Sequence, residues 1–175
     1  SLPHVRFVER NAIVRADLIP NDPLWSSQYG PAHVQAPDAW NTTTGSSAVI
    51  LAIVDSGIDP DHPEFLGRIL PGYDFVQNDA IPQDECGHGT HVAGIAAASG
   101  NNAEGIAGIA WNVKILPIRV LNRECNGTTV QVAEGIVGAV ERGAKVINLS
   151  LGTLVNSLLL QEATFYAYTQ GVALI

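Results

Sequence analysis

Two short blocks of this 175-residue chain put an acid and a base where they could act together. In Ala52-Ile53-Val54-Asp55-Ser56-Gly57-Ile58, Asp55 is the first polar residue behind the six apolar residues Val49 to Val54. A carboxylate ending such a run is partly desolvated and demands a partner. Taken alone, it could equally cap the turn through Ser56-Gly57. In Gly87-His88-Gly89-Thr90-His91, the flanking glycines let another segment approach the His88 ring closely. An Asp that orients a His, which in turn deprotonates a hydroxyl, is the arrangement used for nucleophilic acyl transfer. A metal-hydrolase alternative would use His88 and His91, which are three apart and could share a helical face. It is the weaker pattern: an apolar stretch follows His91, and no Glu stands between the histidines as H-E-x-x-H requires.

Charge and cysteines narrow the field further. With 9 Lys+Arg against 17 Asp+Glu the formal charge is −8, which argues against a nucleic-acid partner, since phosphate binding needs clustered cations. Hydrophobic residues at 46% and charged residues at 15% fit a globular chain with a real core rather than disorder. No apolar run approaches the ~20 residues of a membrane span. Eight of the acids fall between Asp55 and Glu85, offset only by Arg68. They read either as a solvated acidic loop or as oxygen ligands for a hard cation such as Ca²⁺. Cys86 and Cys125 lie 39 positions apart and belong to no C-x-x-C pair, so zinc or thioredoxin-type chemistry is disfavoured. Spacing alone leaves them as two free thiols or one disulfide. There is no Met, and Gly171–Ile175 reads as a strand that breaks off, so the sequence is expected to be a fragment.

The elements that must position these residues alternate. Val49–Val54 is a β-branched run of the kind buried on both faces of a parallel sheet. His88–Ala98, rich in Ala and Gly, predicts a tightly packed helix. Strands are expected over 114–121, 144–151 and 172–175. Helices are expected over 130–142, which carries an apolar stripe and stops at Gly143, and over 157–170, closed by Gly171. This succession predicts an α/β fold with a mainly parallel sheet. In such sheets ligands gather beyond the carboxyl ends of strands, which is where Asp55 and Ser150-Leu151-Gly152 fall.

Taken together, the Asp55 and His88 blocks and Asn148-Leu149-Ser150-Leu151-Gly152 resemble three signature blocks of the subtilisin-like serine proteases, in that family's order. The Asp–His–Ser chain order of subtilisin is a known pattern of the family rather than something these spacings establish. The resemblance covers roughly residues 21–175, and Asn21-Asp22-Pro23, Ser26–Gly30 and Asn101-Asn102 with Gly105–Gly108 suit the thermitase branch. It implies a three-layer α/β/α fold, incomplete at its C-terminus, and a secreted, monomeric serine endopeptidase acting on protein or peptide substrates. Asp55 matches the residue that fixes the imidazole tautomer, and His88 the general base. Cys125-Asn126-Gly127 and Ser150-Leu151-Gly152 match the two walls that hold the substrate backbone, Ser150 not being the nucleophile.

The resemblance also implies what is missing and what is added. The Gly-Thr-Ser block that carries the family's nucleophile occurs nowhere in the chain, and neither does the oxyanion Asn that follows it. The fragment alone is therefore expected to be inert and the longer parent active. Residues 1–20 resemble the end of a pro-segment, with Val5–Val14 alternating like an edge strand and a maturation cut between about Val14 and Asn21; the pro-segment would be an intramolecular partner. Structural Ca²⁺ is implied at Asp22, Glu64 and Asn102, and at a second, weaker set of Asp74, Asp79 and Gln83. A Cys86–Cys125 disulfide and an oxidising compartment are implied as well. The alternative from another class is a non-catalytic homologue that keeps the fold for binding or regulation.

Overall fold

A six-residue strand, β1, emerges where the apolar run predicts it and becomes the centre of the sheet. The computed structural model describes residues 4–13 and 18–175. In chain order it contains α1 (Tyr29–His33), α2 (Ala36–Trp40), β1 (Ile50–Asp55), β2 (Tyr73–Asp74), α3 (His88–Ala97), β3 (Lys114–Arg119), α4 (Thr129–Glu141), β4 (Val146–Asn148), α5 (Leu158–Thr169) and β5 (Ala173–Leu174). The sheet order is β2-β3-β1-β4-β5 and every pairing is parallel. From β1 the chain builds β2 and β3 on one side, then crosses to build β4 and β5 on the other. The switch therefore falls beside β1, and its carboxyl end opens the crevice in which such sheets bind ligands.

Alternation along β1 divides the interior into two cores. Ala52 and Val54 join Leu116, Ile118 and Val120 against α4 and α5 through Ala133, Ile136, Ala139 and Ala163. Leu51 and Ile53 face the other way, onto Ala93 and Ala97 of α3 and onto Phe65. Helices thus cover both faces, giving the three layers α/β/α. A strand period of two puts Asp55 on the face of Leu51 and Ile53, the side on which α3 lies. A third, smaller cluster packs Trp40 in tilted contact with Trp111 at 4.6 Å and with Trp25 at 5.6 Å, tying the N-terminal helices to the segment before β3. The two longest helices are capped by side chains: Thr128 and Gln131 form a capping box ahead of α4, and Ser157 caps α5 by accepting from Leu160 N–H.

Two expectations are corrected. The strand expected over 144–151 pairs only over Val146–Asn148, because the chain leaves the sheet after Asn148 to wall a cleft. Of Val5–Val14, expected to alternate like an edge strand, the described residues 5–13 form no ladder, and Phe7, Val8 and Ile13 are exposed. Part of the expected processing region, residues 14–17, lies outside the described residues.

Packing between α4 and the sheet leaves no room at Gly135. A Cβ there would sit 2.5 Å from Val120 Cγ1 and 3.2 Å from methyls of Ile118 and Val54, all on β-branched strand residues with little freedom to turn away. Gly135→Val is expected to destabilise the protein by about 1–3 kcal/mol, outweighing the modest gain in helix propensity. Denaturant unfolding of the two proteins measures the difference.

Candidate active site

The carboxylate of Asp55 is fully buried at the end of β1 and has two donors. Ser56 N–H donates to its Oδ1 at 2.7 Å, and His88 Nδ1 lies 2.8 Å from Oδ1 and 3.0 Å from Oδ2. A carboxylate can only accept, so Nδ1 carries the proton and Nε2 of the neutral ring is left as the acceptor. His88 is the first residue of α3, and 43% of its side chain is exposed, against none for Asp55. A buried acid thus holds a ring whose other face meets solvent. The approach is close because residue 89 has no side chain: a Cβ at Gly89 would lie 2.1 Å from Gly57 O.

His88 shares a cleft of about 450 Å³ with Cys125, Asn126 and Gly127 on one wall and Ser150, Leu151 and Gly152 on the other. All six wall residues expected from the sequence are therefore brought to the candidate base. Residues 122–126 form a tight turn, with Asn122 N–H donating to Asn126 O at 2.8 Å and Cys125 in the left-handed region at φ +57°. Cys86 and Cys125 are joined in a disulfide with Cα atoms 5.7 Å apart. The bridge ties the segment that delivers His88 to one wall of the cleft. His91, by contrast, lines a different hollow with His62, Glu64 and Ile106.

Two groups that the sequence did not single out brace this site. Asp84 accepts five hydrogen bonds, from Ser56, Cys86, Gly87 and both the N–H and hydroxyl of Thr90. Burial works to raise its pKa, but the donors on Thr90, Gly87 and Ser56 together outweigh it and hold the carboxyl below its ordinary range. Arg119, at the end of β3 and almost fully buried, donates to Asp74 at 3.0 Å and to Glu85 at 2.5 Å. Asp84 stands four residues before His88 and two before Cys86, the spacing of an Asx turn feeding a helix start, and that signal was available.

The two expected calcium sets differ. Asp22 and Glu64 are both buried and both face the loop 99–106: Asp22 Oδ2 accepts from Asn101 N–H at 2.7 Å, and Glu64 Oε1 accepts from Ile106 N–H at 3.0 Å. Asn102 donates its amide to Glu64 Oε2 at 3.3 Å. Asp22 Oδ1 is buried with no hydrogen-bond partner, so this set keeps an oxygen that a hard cation would meet. Asp74, Asp79 and Gln83 fit one poorly. Asp74 Oδ1 already accepts from Val76 and Gln77 N–H and its Oδ2 from Arg119, while Asp79 Oδ1 accepts from Ile81 N–H. Among the described residues, no three His, Cys, Asp or Glu side chains converge as a metal cluster.

A parallel α/β sheet with an Asp–His pair at its switch point, opening on a two-walled cleft, defines a class of protein. Residues 46–175 match the subtilase family, peptidase S8, and the chain belongs to that family. It is 52% identical over 157 residues to thermitase of Thermoactinomyces vulgaris, covering 89% of this chain and 56% of thermitase. It is 45% identical over 174 residues to a thermophilic serine proteinase of Bacillus sp. strain AK1, covering 99% and 43%. A protease from Pseudoalteromonas arctica superposes with a TM-score of 0.81 at 34% identity, over 89% of this chain and 57% of that one. The chain thus spans about half the length of these relatives.

The disulfide closes a loop across 39 positions, for which chain entropy gives about 4 kcal/mol of stabilisation. Thiol titration under non-reducing denaturation is expected to find none of the two cysteines free. Reduction is expected to release both and to lower the melting temperature.

Proposed function

We propose that this chain is the part of a secreted serine endopeptidase that carries the acid and base of an Asp–His–Ser triad. The observation that carries the reading is the 2.8 Å contact between buried Asp55 and His88 at the edge of the cleft. Asp55 holds the Nδ1–H tautomer and stabilises the imidazolium that forms during reaction. His88 Nε2 removes the proton of a serine hydroxyl supplied from outside these 175 residues. The serine oxygen attacks the scissile carbonyl, and His88 returns the proton to the leaving amine. Water, deprotonated in turn by His88, then releases the acid product.

The substrate lies in the cleft as an extended strand, between Cys125-Asn126-Gly127 and Ser150-Leu151-Gly152. Backbone pairing of this kind is independent of side chains, so it favours protein substrates broadly. The disulfide supports an oxidising, extracellular compartment. Residues before about Asn21 are read as the end of a pro-segment, and the mature domain as starting there.

Asp22, Glu64 and Asn102, with carbonyls of the 100–106 loop, are read as the holders of one calcium ion. Its role there is structural: it supplies positive charge to two buried carboxylates and fixes the loop.

Fluorophosphonate labelling of the full-length protein tests the peptidase reading. The label is expected on a serine beyond Ile175 and lost in His88→Ala; Asp55→Asn is expected to lower kcat on the order of 10⁴-fold. Absence of label on folded protein with an open cleft would favour the non-catalytic homologue. For the cation, calcium at 100 times its Kd is expected to add about 2.7 kcal/mol to the stability of the wild type. Asp22→Ala is expected to show no such gain in the same melting experiment.

A further inference from the structure

Asp84 does not line the cleft, yet its carboxylate accepts from residues beside both members of the Asp55–His88 pair. Through Oδ1 it accepts from Ser56 Oγ–H at 2.8 Å, from Cys86 N–H at 3.0 Å and from Gly87 N–H at 2.7 Å. Through Oδ2 it accepts from Thr90 N–H at 2.9 Å and from the Thr90 hydroxyl at 2.6 Å. Cys86, Gly87 and Thr90 bracket His88, so these bonds fix the backbone from which the imidazole projects. Ser56 Oγ in turn accepts from Gly89 N–H at 2.9 Å, and Ser56 N–H donates to Asp55 Oδ1 at 2.7 Å. Ser56 is fully buried, and Gly89 abuts Gly57 O with no space for a Cβ.

From this geometry we propose that Asp84 is a positioning residue, setting the separation of Asp55 and His88 through Ser56 and the first turn of α3. The proposal rests on the peptidase reading above. Five donors converge on one carboxylate, which offers about four lone-pair sites and has no neutral equal among side chains. Asn keeps a carbonyl oxygen for the Ser56, Cys86 and Gly87 donors but turns an NH₂ toward Thr90. Ala keeps neither arm. Misplacement of a reacting group by ~1 Å costs up to about 10²-fold in rate, which bounds the expected effect.

In the full-length enzyme, Asp84→Ala is expected to lower kcat about 10- to 100-fold with KM changed less than about threefold. Asp84→Asn is expected to restore most of that loss. The low-field Nδ1 proton resonance of His88, which reports its bond to Asp55, is expected to shift or broaden in Asp84→Ala and to persist in Asp84→Asn. Ser56→Ala cuts one arm of the same network, so the double variant Ser56→Ala/Asp84→Ala is expected to be no slower than Asp84→Ala alone. Circular dichroism and a melt establish that each variant folds. If Asp84→Ala does not fold, Ser56→Ala carries the test, with kcat lowered about 3- to 10-fold at constant KM.

An active wild type beside a folded Asp84→Ala of unchanged kcat and unchanged resonance overturns the proposal alone, as do independent, multiplicative losses in the double variant. A wild type that neither hydrolyses substrate nor takes the fluorophosphonate overturns the peptidase reading and any catalytic consequence of Asp84 with it.

Discussion

The structure around the cleft depends on one costly act, the burial of an ionisable carboxylate at the end of the central strand. An uncompensated buried charge costs several kcal/mol, so Asp55 must find donors wherever β1 ends. It has two: the N–H of the next residue, and an imidazole delivered from 33 positions away. Meeting the second demand constrains the rest. Helix α3 must begin beside the strand end, its second residue must be glycine, and the loop before it must hold a fixed shape. A requirement of solvation thereby becomes a requirement of geometry.

That loop is held from three sides. Asp84 gathers the backbone of residues 86, 87 and 90; the disulfide ties Cys86 to the turn at Cys125; and Arg119 reaches from the end of β3 to Glu85. Of these, the Arg119 link draws on a residue paired in register with Asp55 itself, so the strand that flanks Asp55 also steadies the loop bearing His88. Exposed ion pairs contribute little to stability, and Glu85 is 44% exposed, so its value lies in direction rather than in energy.

How much of this was legible varies with the range of the interaction. The strand Val49–Val54, the Ala/Gly-rich helix at His88 and the stripe at 132, 133, 136, 137 and 140 are local patterns, and each formed within a few residues of its expected bounds. The Asp55 and His88 blocks were visible because their residue types are unusual in apolar surroundings, and the cleft walls because they resemble a known family. Ala144–Leu151 was too long as a strand because composition carries no mark of where a partner strand ends. The Cys86–Cys125 pairing was open on spacing and followed only from the resemblance. The role of Arg119 was hidden, since a buried arginine looks in sequence like a solvated one; that of Asp84 was marked only by its spacing before Cys86 and His88, among acids that look alike.

The acidic stretch from Asp55 to Glu85, ambiguous as a run of letters, resolves into carboxylates satisfied in different ways. Asp55 is answered by a histidine, Asp84 by backbone and hydroxyl donors, and Asp74 by Arg119 together with the N–H groups of Val76 and Gln77. Asp74 and Asp22 make the instructive pair. Both are buried, but the first has every oxygen engaged and an internal cation at 3.0 Å, while the second keeps one buried oxygen with no partner. Where the chain places its own guanidinium, a metal ion would add positive charge to a site already neutralised. Asp22 Oδ1, which no guanidinium or N–H group of the fold meets, is the contrasting case. The proposal of a calcium ion there, and its poor fit at Asp74, rest on one rule: a buried carboxylate must be paired, whether from within the fold or from outside it.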